Sequence, residues 1–175
     1  MTWHKDLDTL ALPENFIPQA EAYAELLLRY NQTHNISGAK TLAKVYENIV
    51  DSVYPIKYLE SIPSTCIDIG SGAGFPGIPL ALALPKTSFT LFEPIAKKSS
   101  FLHLTKSTLG LTNVAIATKR VEQGPFFKCD LICSRAVTDT SMLMKLCHEF
   151  IAPHSTLLFY KGSKVTEEAT EVPHD

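Results

Sequence analysis

A chain of 175 residues with 45% hydrophobic and 19% charged residues is long enough to bury one core and too apolar to stay unfolded. Its net charge of −2 excludes a protein that grips a polyanion over its whole surface. The start, Met1-Thr2-Trp3-His4-Lys5-Asp6-Leu7, is not a secretory signal, and the longest apolar run, Gly77 to Leu84, falls far short of the ~20 residues that span a bilayer, so a cytoplasmic, membrane-free protein is expected.

In chain order, Tyr23, Leu26, Leu27 and Tyr30 have the i, i+3, i+4, i+7 spacing of a helix with one buried face. A second helical stretch follows from Thr41 to Leu59, with a break expected at Pro55. From residue 65 the pattern changes to short apolar runs alternating with helical periods. Thr65 to Ile69, Ser88 to Phe92, Val114 to Ala117, Cys129 to Cys133 and Ser155 to Tyr160 read as strands buried on both faces. Helices are expected at Pro76 to Leu84, at Ala96 to Leu109 with Gly110 ending it, and at Asp139 to Phe150 with Thr138 or Asp139 as its cap.

Strands alternating with helices predict an α/β fold, a parallel Rossmann-like sheet with helices on both faces and a helical cap at the amino end. One domain over 1–175 is expected: cap 1–62, core 63–162 and an acidic, mobile tail 163–175. That tail holds Glu167, Glu168, Glu171 and Asp175, so residues 1–166 carry 16 basic and 14 acidic groups. Bases gather at Lys97-Lys98, Lys119-Arg120, Arg135 and Lys161-Gly162-Ser163-Lys164, which permits a local basic face. Cys66, Cys129, Cys133 and Cys147 form no metal-ligand spacing and read as reduced core residues; no metal is expected.

Chemistry is expected beyond the carboxyl ends of the strands, at the topological switch point. There the strand ending Asp68-Ile69 runs into Gly70-Ser71-Gly72-Ala73-Gly74-Phe75-Pro76-Gly77, with four glycines in eight residues. The turn lets a ligand approach the backbone; a tight strand-to-helix connection is the alternative. Gly72 to Gly77 also satisfies G-x-G-x-x-G, and Glu93 lies 21 residues after Gly72, near the place of a ribose-binding acid, so a nicotinamide or flavin cofactor stays open. Two features favour S-adenosylmethionine. Asp68, two residues before the first glycine, suits an ammonium and would repel a pyrophosphate, and the glycine spacing begins at Gly70. Glu93 accepts from ribose hydroxyls in either case, or else caps the helix that starts at Ala96.

These residues resemble a known family, the bacterial guanine-N7 methyltransferases of small-subunit ribosomal RNA, called RsmG or glucose-inhibited division protein B (GidB). The likeness spans about Tyr30 to Lys161. It is carried by Tyr30-Asn31, Asn35-Ile36-Ser37, Asp51-Ser52, the run Asp68 to Pro79, Phe89 to Pro94, Lys97-Lys98, Phe101-Leu102, Arg120-Val121-Glu122, Ser134-Arg135-Ala136-Val137 and Lys161-Gly162. The resemblance implies transfer from S-adenosylmethionine, leaving S-adenosylhomocysteine, to guanine N7 of 16S rRNA within the small ribosomal subunit, with no stable protein partner. Together with the reading of the turn, it gives an expected donor site of Asp68, Gly70, Ser71, Gly72, Gly74, Phe75, Glu93, Val121, Glu122 and Arg135, of which Gly70, Phe75, Val121, Glu122 and Arg135 are what the resemblance implies. In that site Gly70 and Phe75 line the methionine and ribose part, and the Val121-Glu122 backbone frames the adenine. The resemblance also places Arg135 where the target base enters and Asn35 and Lys161 toward the RNA; Arg135 and Lys161 are expected as catalytic residues, and the basic pair Lys97 and Lys98 is expected to join Asn35, Arg135 and Lys161 as RNA contacts.

Two departures stand out. Asn48 occupies a position, three before Asp51, where the family commonly has histidine. The final antiparallel hairpin that the resemblance implies has no strand pattern in Gly162 to Asp175, so that edge is expected to be missing or reduced. Guanine N7 carries no proton to remove, so no general base is needed, and no Asn-Pro-Pro-Tyr motif follows the fourth strand. A donor-binding assembly protein without catalysis and a nicotinamide-dependent oxidoreductase are the competing readings.

Overall fold

The computed structural model of the protein describes residues 3–135 and 138–160. A 3-10 turn at Lys5–Leu7 precedes helix α1 (Phe16–His34) and helix α2 (Leu42–Val53). Helix α1 buries Phe16, Ala20, Tyr23, Ala24, Leu27 and Asn31, one stripe recurring every three to four residues. Asn35 closes it in the left-handed conformation, at φ 46°. The buried Asn31 side chain builds the turn that follows. Its amide donates to the Ser37 carbonyl at 2.9 Å and the Ala39 carbonyl at 3.1 Å, and its Oδ1 accepts from the Ile36 and Ser37 N–H groups. Every buried polar group of that amide is therefore satisfied, which is what lets the turn sink into the protein.

Thr41 caps α2 by accepting from the Lys44 N–H at 3.2 Å. The sequence predicts one helix to Leu59 with a break at Pro55. The helix stops at Val53, and Tyr54–Tyr58 continues as a 3-10 turn. Proline has no N–H and its ring crowds the carbonyl four residues back, so the regular ladder ends before Pro55.

The sheet follows: β1 (Thr65–Ile69), α3 (Gly77–Ala83), β2 (Ser88–Phe92), α4 (Ala96–Leu109), β3 (Val114–Ala117), β4 (Cys129–Arg135), α5 (Thr140–Cys147) and β5 (Ile151–Tyr160). The five strands are parallel, in the order β3-β2-β1-β4-β5. Gly110 ends α4 at φ 65°, and Asp139 caps α5 by accepting from the Met142 N–H at 2.8 Å. The first three strands have the bounds their apolar runs predict, whereas β4 and β5 are longer. Backbone pairing carries β4 past its apolar run, matching Ser134 with Phe159 and Arg135 with Tyr160. At the start of β5 the register with β4 breaks around Pro153, which has no N–H to give, and Ser155 bridges the gap from its hydroxyl to the Cys129 carbonyl at 2.6 Å.

Alternation along β1 divides the core. Cys66 and Asp68 face the larger cluster, with α1 to α4, while Ile67 and Ile69 face the smaller one, with Leu143, Cys147 and Phe150. All four cysteines are buried and free of disulfides, and the Cys66 and Cys133 thiols share a hydrogen bond at 3.8 Å. The chain leaves β1 on one side through β2 and β3 and returns on the other through β4 and β5. The carboxyl end of β1 is thus the switch point, and the glycine-rich turn sits there. Among the described residues no helix is long and apolar enough to cross a membrane.

Candidate functional site

Backbone hydrogen bonds fix the glycine-rich turn. The Gly70 and Ser71 N–H groups both donate to the Phe92 carbonyl, at 2.9 and 3.0 Å, which ties the turn to the end of β2. The Gly74 N–H donates to the Ser71 carbonyl at 2.7 Å, and the Ser71 hydroxyl returns to the Asp68 carbonyl at 3.2 Å. Two glycines have a steric reason. At Gly74, with φ 107°, a Cβ would lie 2.6 Å from Ile78 Cγ1; at Gly77 it would lie 2.5 Å from both Asp68 Oδ2 and Leu91 Cδ2. Tyr23 of α1 clamps the turn from the cap side by donating its hydroxyl to the Ala73 carbonyl at 2.7 Å.

Glu93, at the tip of β2, is 3% exposed and joins both sides of this crevice. Its Oε2 accepts from the Gly72 N–H at 2.7 Å and its Oε1 from the Ile95 N–H at 2.8 Å. It therefore orders the turn and the approach to α4, whatever its remaining lone pairs bind. Beyond β3, Val121–Gln123 forms a 3-10 turn with Val121 buried and Glu122 exposed.

Asp68 is fully buried. Its Oδ2 accepts from the Gly77 N–H at 3.1 Å, at the start of α3, while Oδ1 has no hydrogen-bond partner among the described residues. Burial pushes its carboxyl up to about 7, against the lowering pull of the Ser71 hydroxyl, the Gly77 N–H, the Cys133 thiol and the Arg135 guanidinium. Arg135, the last residue of β4, is half-buried. Its Nη1 donates to Asn48 Oδ1 of α2 at 3.2 Å, its Nε is buried without a partner among the described residues, and its guanidinium lies 5.8 Å from the Phe75 ring and 5.2 Å from the Tyr160 ring. The Tyr160 hydroxyl in turn donates to the Ser52 carbonyl of α2. Burial raises the Cys133 thiol and the Tyr23 and Tyr160 phenols above their usual range, so all three stay neutral.

The structure thus gathers Asp68, Gly70, Ser71, Gly72, Gly74, Phe75, Glu93 and Arg135 at one edge of the sheet, with the Val121-Glu122 turn at the end of β3. Lys97 and Lys98 open α4 on the same edge. The Lys97 ammonium donates to the His34 carbonyl at the end of α1 at 3.1 Å, and the next residue, Asn35, is exposed and accepts from Lys40 Nζ at 2.5 Å. Lys161 and the acidic segment 163–175 lie outside the described residues. Three residues of the site are absent from the sequence-based set: Tyr23, visible there only as part of a helical stripe, Asn48, visible only as a departure from the family, and Tyr160, visible only as a strand end.

Residues 16–175 match the family described as rRNA small subunit methyltransferase G. The chain is 46% identical over 170 residues to the Ribosomal RNA small subunit methyltransferase G of Wolinella succinogenes, covering 97% of this chain and 85% of that protein. It is 42% identical to the protein of the same name from Aliarcobacter butzleri, covering 93% and 84%. Among solved structures it resembles a precorrin-6y C5,15-methyltransferase from Geobacter metallireducens, with a TM-score of 0.59 at 12% identity over 79% of this chain and 75% of that one. The last likeness speaks to the fold alone.

Proposed function

Because the chain belongs to the rRNA small subunit methyltransferase G family, we propose that it transfers the methyl group of S-adenosylmethionine to N7 of a guanine in 16S rRNA, in the cytoplasm, with the small ribosomal subunit presenting the base. The observation that carries this reading is the buried Asp68 carboxylate beneath the glycine-rich turn, with one oxygen left without a partner among the described residues. A buried anion of this kind is costly unless a cation joins it, and the donor carries an ammonium on its methionine end. A pyrophosphate at the same turn would meet repulsion instead.

When bound, S-adenosylmethionine supplies an electrophilic methyl group on a sulfonium. The chain's own residues then do the rest. Asp68 acts on the ammonium from beneath the turn, Gly70 and Phe75 line the methionine and ribose, Glu93 takes the ribose hydroxyls with its free lone pairs, and the Val121-Glu122 backbone frames the adenine. Arg135 stands where the base arrives and stacks on it or donates to its O6, in either case leaving the N7 lone pair free.

Guanine N7 has no proton to lose, so the site needs no base, and the nearby Cys133, Tyr23 and Tyr160 are held neutral by burial. Holding N7 in line with the methyl group supplies up to ~7–11 kcal/mol of the barrier. Asn35, Lys97 and Lys98, and Lys161 beyond the described residues, steer the RNA backbone by charge and hydrogen bonding. A net charge of −2 gives the protein little general affinity for free RNA, which favours selection by the shape of the subunit.

Two measurements test the proposal together. Calorimetry with S-adenosylmethionine, S-adenosylhomocysteine and NAD is expected to show binding of the first two only. Mass-spectrometric mapping of 16S rRNA from a strain lacking the gene is expected to show loss of one 7-methylguanosine, restored by the purified protein. Binding of NAD alone, or an unchanged rRNA map, would reject it.

A further inference from the structure

We propose that Asn48, on the cap helix α2, is a positioning residue for methyl transfer that acts through Arg135. The inference rests on the placing of Arg135 against the incoming base. An arginine at a strand end has several freely rotating bonds, and a free guanidinium would sample many directions. Here α2 reduces them. Asn48 Oδ1 accepts from Arg135 Nη1 at 3.2 Å, and because a guanidinium only donates, the oxygen of the amide must face it. One helical turn later the Ser52 carbonyl accepts the Tyr160 hydroxyl, which holds the Tyr160 ring 5.2 Å from the same guanidinium. Asn48 and Ser52 lie on one face of α2, four residues apart, and the Ser52 hydroxyl donates to the Asn48 carbonyl at 2.6 Å.

Asn48 is not part of the packing that holds α2 on the protein. That packing comes from Val45, Ile49 and Val53, all fully buried, whereas Asn48 is half-buried and faces Arg135. Removing its amide therefore releases the guanidinium and leaves the cap seated. Arg135 Nε, buried and unpartnered among the described residues, is aimed by the same restraint.

The test measures single-turnover methylation of small ribosomal subunits lacking the modification, with tritiated S-adenosylmethionine, for Asn48→Ala, Asn48→Asp, Arg135→Ala and the double alanine variant, alongside donor affinity and Tm. Asn48→Ala is expected to lower the methylation rate on the order of ten- to hundredfold, the cost of misplacing a reacting group by a fraction of its size. Its donor affinity and Tm should stay near those of the unaltered protein. Asn48→Asp keeps an oxygen toward Arg135 and should recover most of the rate. The double variant should be no slower than Arg135→Ala alone, because Asn48 works only through that side chain. A normal rate in Asn48→Ala, a double variant whose loss is the product of the two single losses, or a parallel fall in Tm and donor affinity would each overturn the inference while leaving Arg135 in place. A normal rate in Arg135→Ala would instead overturn the reading on which it stands.

Discussion

If Asp68 holds the donor's ammonium as proposed, donor binding should depend on the ionisation of this carboxyl, with a sign set by its surroundings. Burial holds its carboxyl at about 7 in the ligand-free protein, and it keeps the neighbouring Cys133, Tyr23 and Tyr160 neutral. The ionised form attracts the donor's ammonium. That attraction lowers the carboxyl below its ligand-free value in the complex. The sign follows. Below pH 7 the free protein carries a proton on Asp68 that donor binding must displace, so affinity falls as pH falls. Relative to pH 7.5, Kd should weaken by up to about eightfold at pH 6 and further below that, levelling off once the carboxyl of the complex is protonated too. Above about pH 8 the donor's own amine loses its charge and affinity falls again. Isothermal calorimetry at several pH values, in buffers of different ionisation heat, reads both the affinity and the proton released. Asp68→Asn keeps an oxygen for the Gly77 N–H and should bind weakly with no acid limb. An acid limb that survives in Asp68→Asn, or a flat profile in the unaltered protein, would refute the reasoning.

Three further outcomes follow from the same geometry. Arg135→Ala should keep donor affinity within a few-fold while methylation falls by orders of magnitude, and near-normal turnover would remove Arg135 from the chemistry. Gly77→Ala places a methyl group 2.5 Å from Asp68 Oδ2 and Leu91 Cδ2, so overpacking should cost about 1–3 kcal/mol or more and weaken the donor as well; an unchanged Tm would contradict the packing described. Tyr23→Phe strips the buried Ala73 carbonyl of its 2.7 Å partner, with an expected cost of about 1–3 kcal/mol and a Tm lower by on the order of 5 °C, measured by thermal unfolding. A variant as stable as the parent would mean that water replaces the hydroxyl.

The sheet was legible because strands buried on both faces leave continuous apolar runs, and β1, β2 and β3 follow theirs from end to end. Where pairing is decided by a neighbour, composition says less. Ser134 and Arg135 are polar, yet they stay in β4 because Phe159 and Tyr160 pair with them. The glycine-rich turn and Glu93 were readable from spacing, since a backbone that turns sharply and an acid at the next strand tip leave local marks. Asn31 illustrates the limit in the other direction. It sits in a run that marks the family, but its amide is consumed in building the α1–α2 turn, so its place in the motif reflects folding. Asn48 and Arg135 are 87 residues apart, and no local pattern announces a hydrogen bond across that distance.

The helical cap is where fold and chemistry meet. The turn of β1, the end of β4 and the end of β5 are separate pieces of chain, and each is held by a residue of α1 or α2: Ala73 by Tyr23, Arg135 by Asn48, and Tyr160 by Ser52. Each bond alone contributes only about 1 kcal/mol net. Their effect lies in geometry, because three segments that arrive independently at one sheet edge are referred to a common support. A parallel sheet fixes where its strands end but leaves the side chains beyond those ends free to choose among rotamers. Tying them to packed helices converts that freedom into a defined direction, which a reaction driven by alignment requires. On the proposed reading the cap is therefore as much a part of the site as the glycine-rich turn, and of the family-marking residues upstream of the first strand it is Ser52 that supplies one of the three ties.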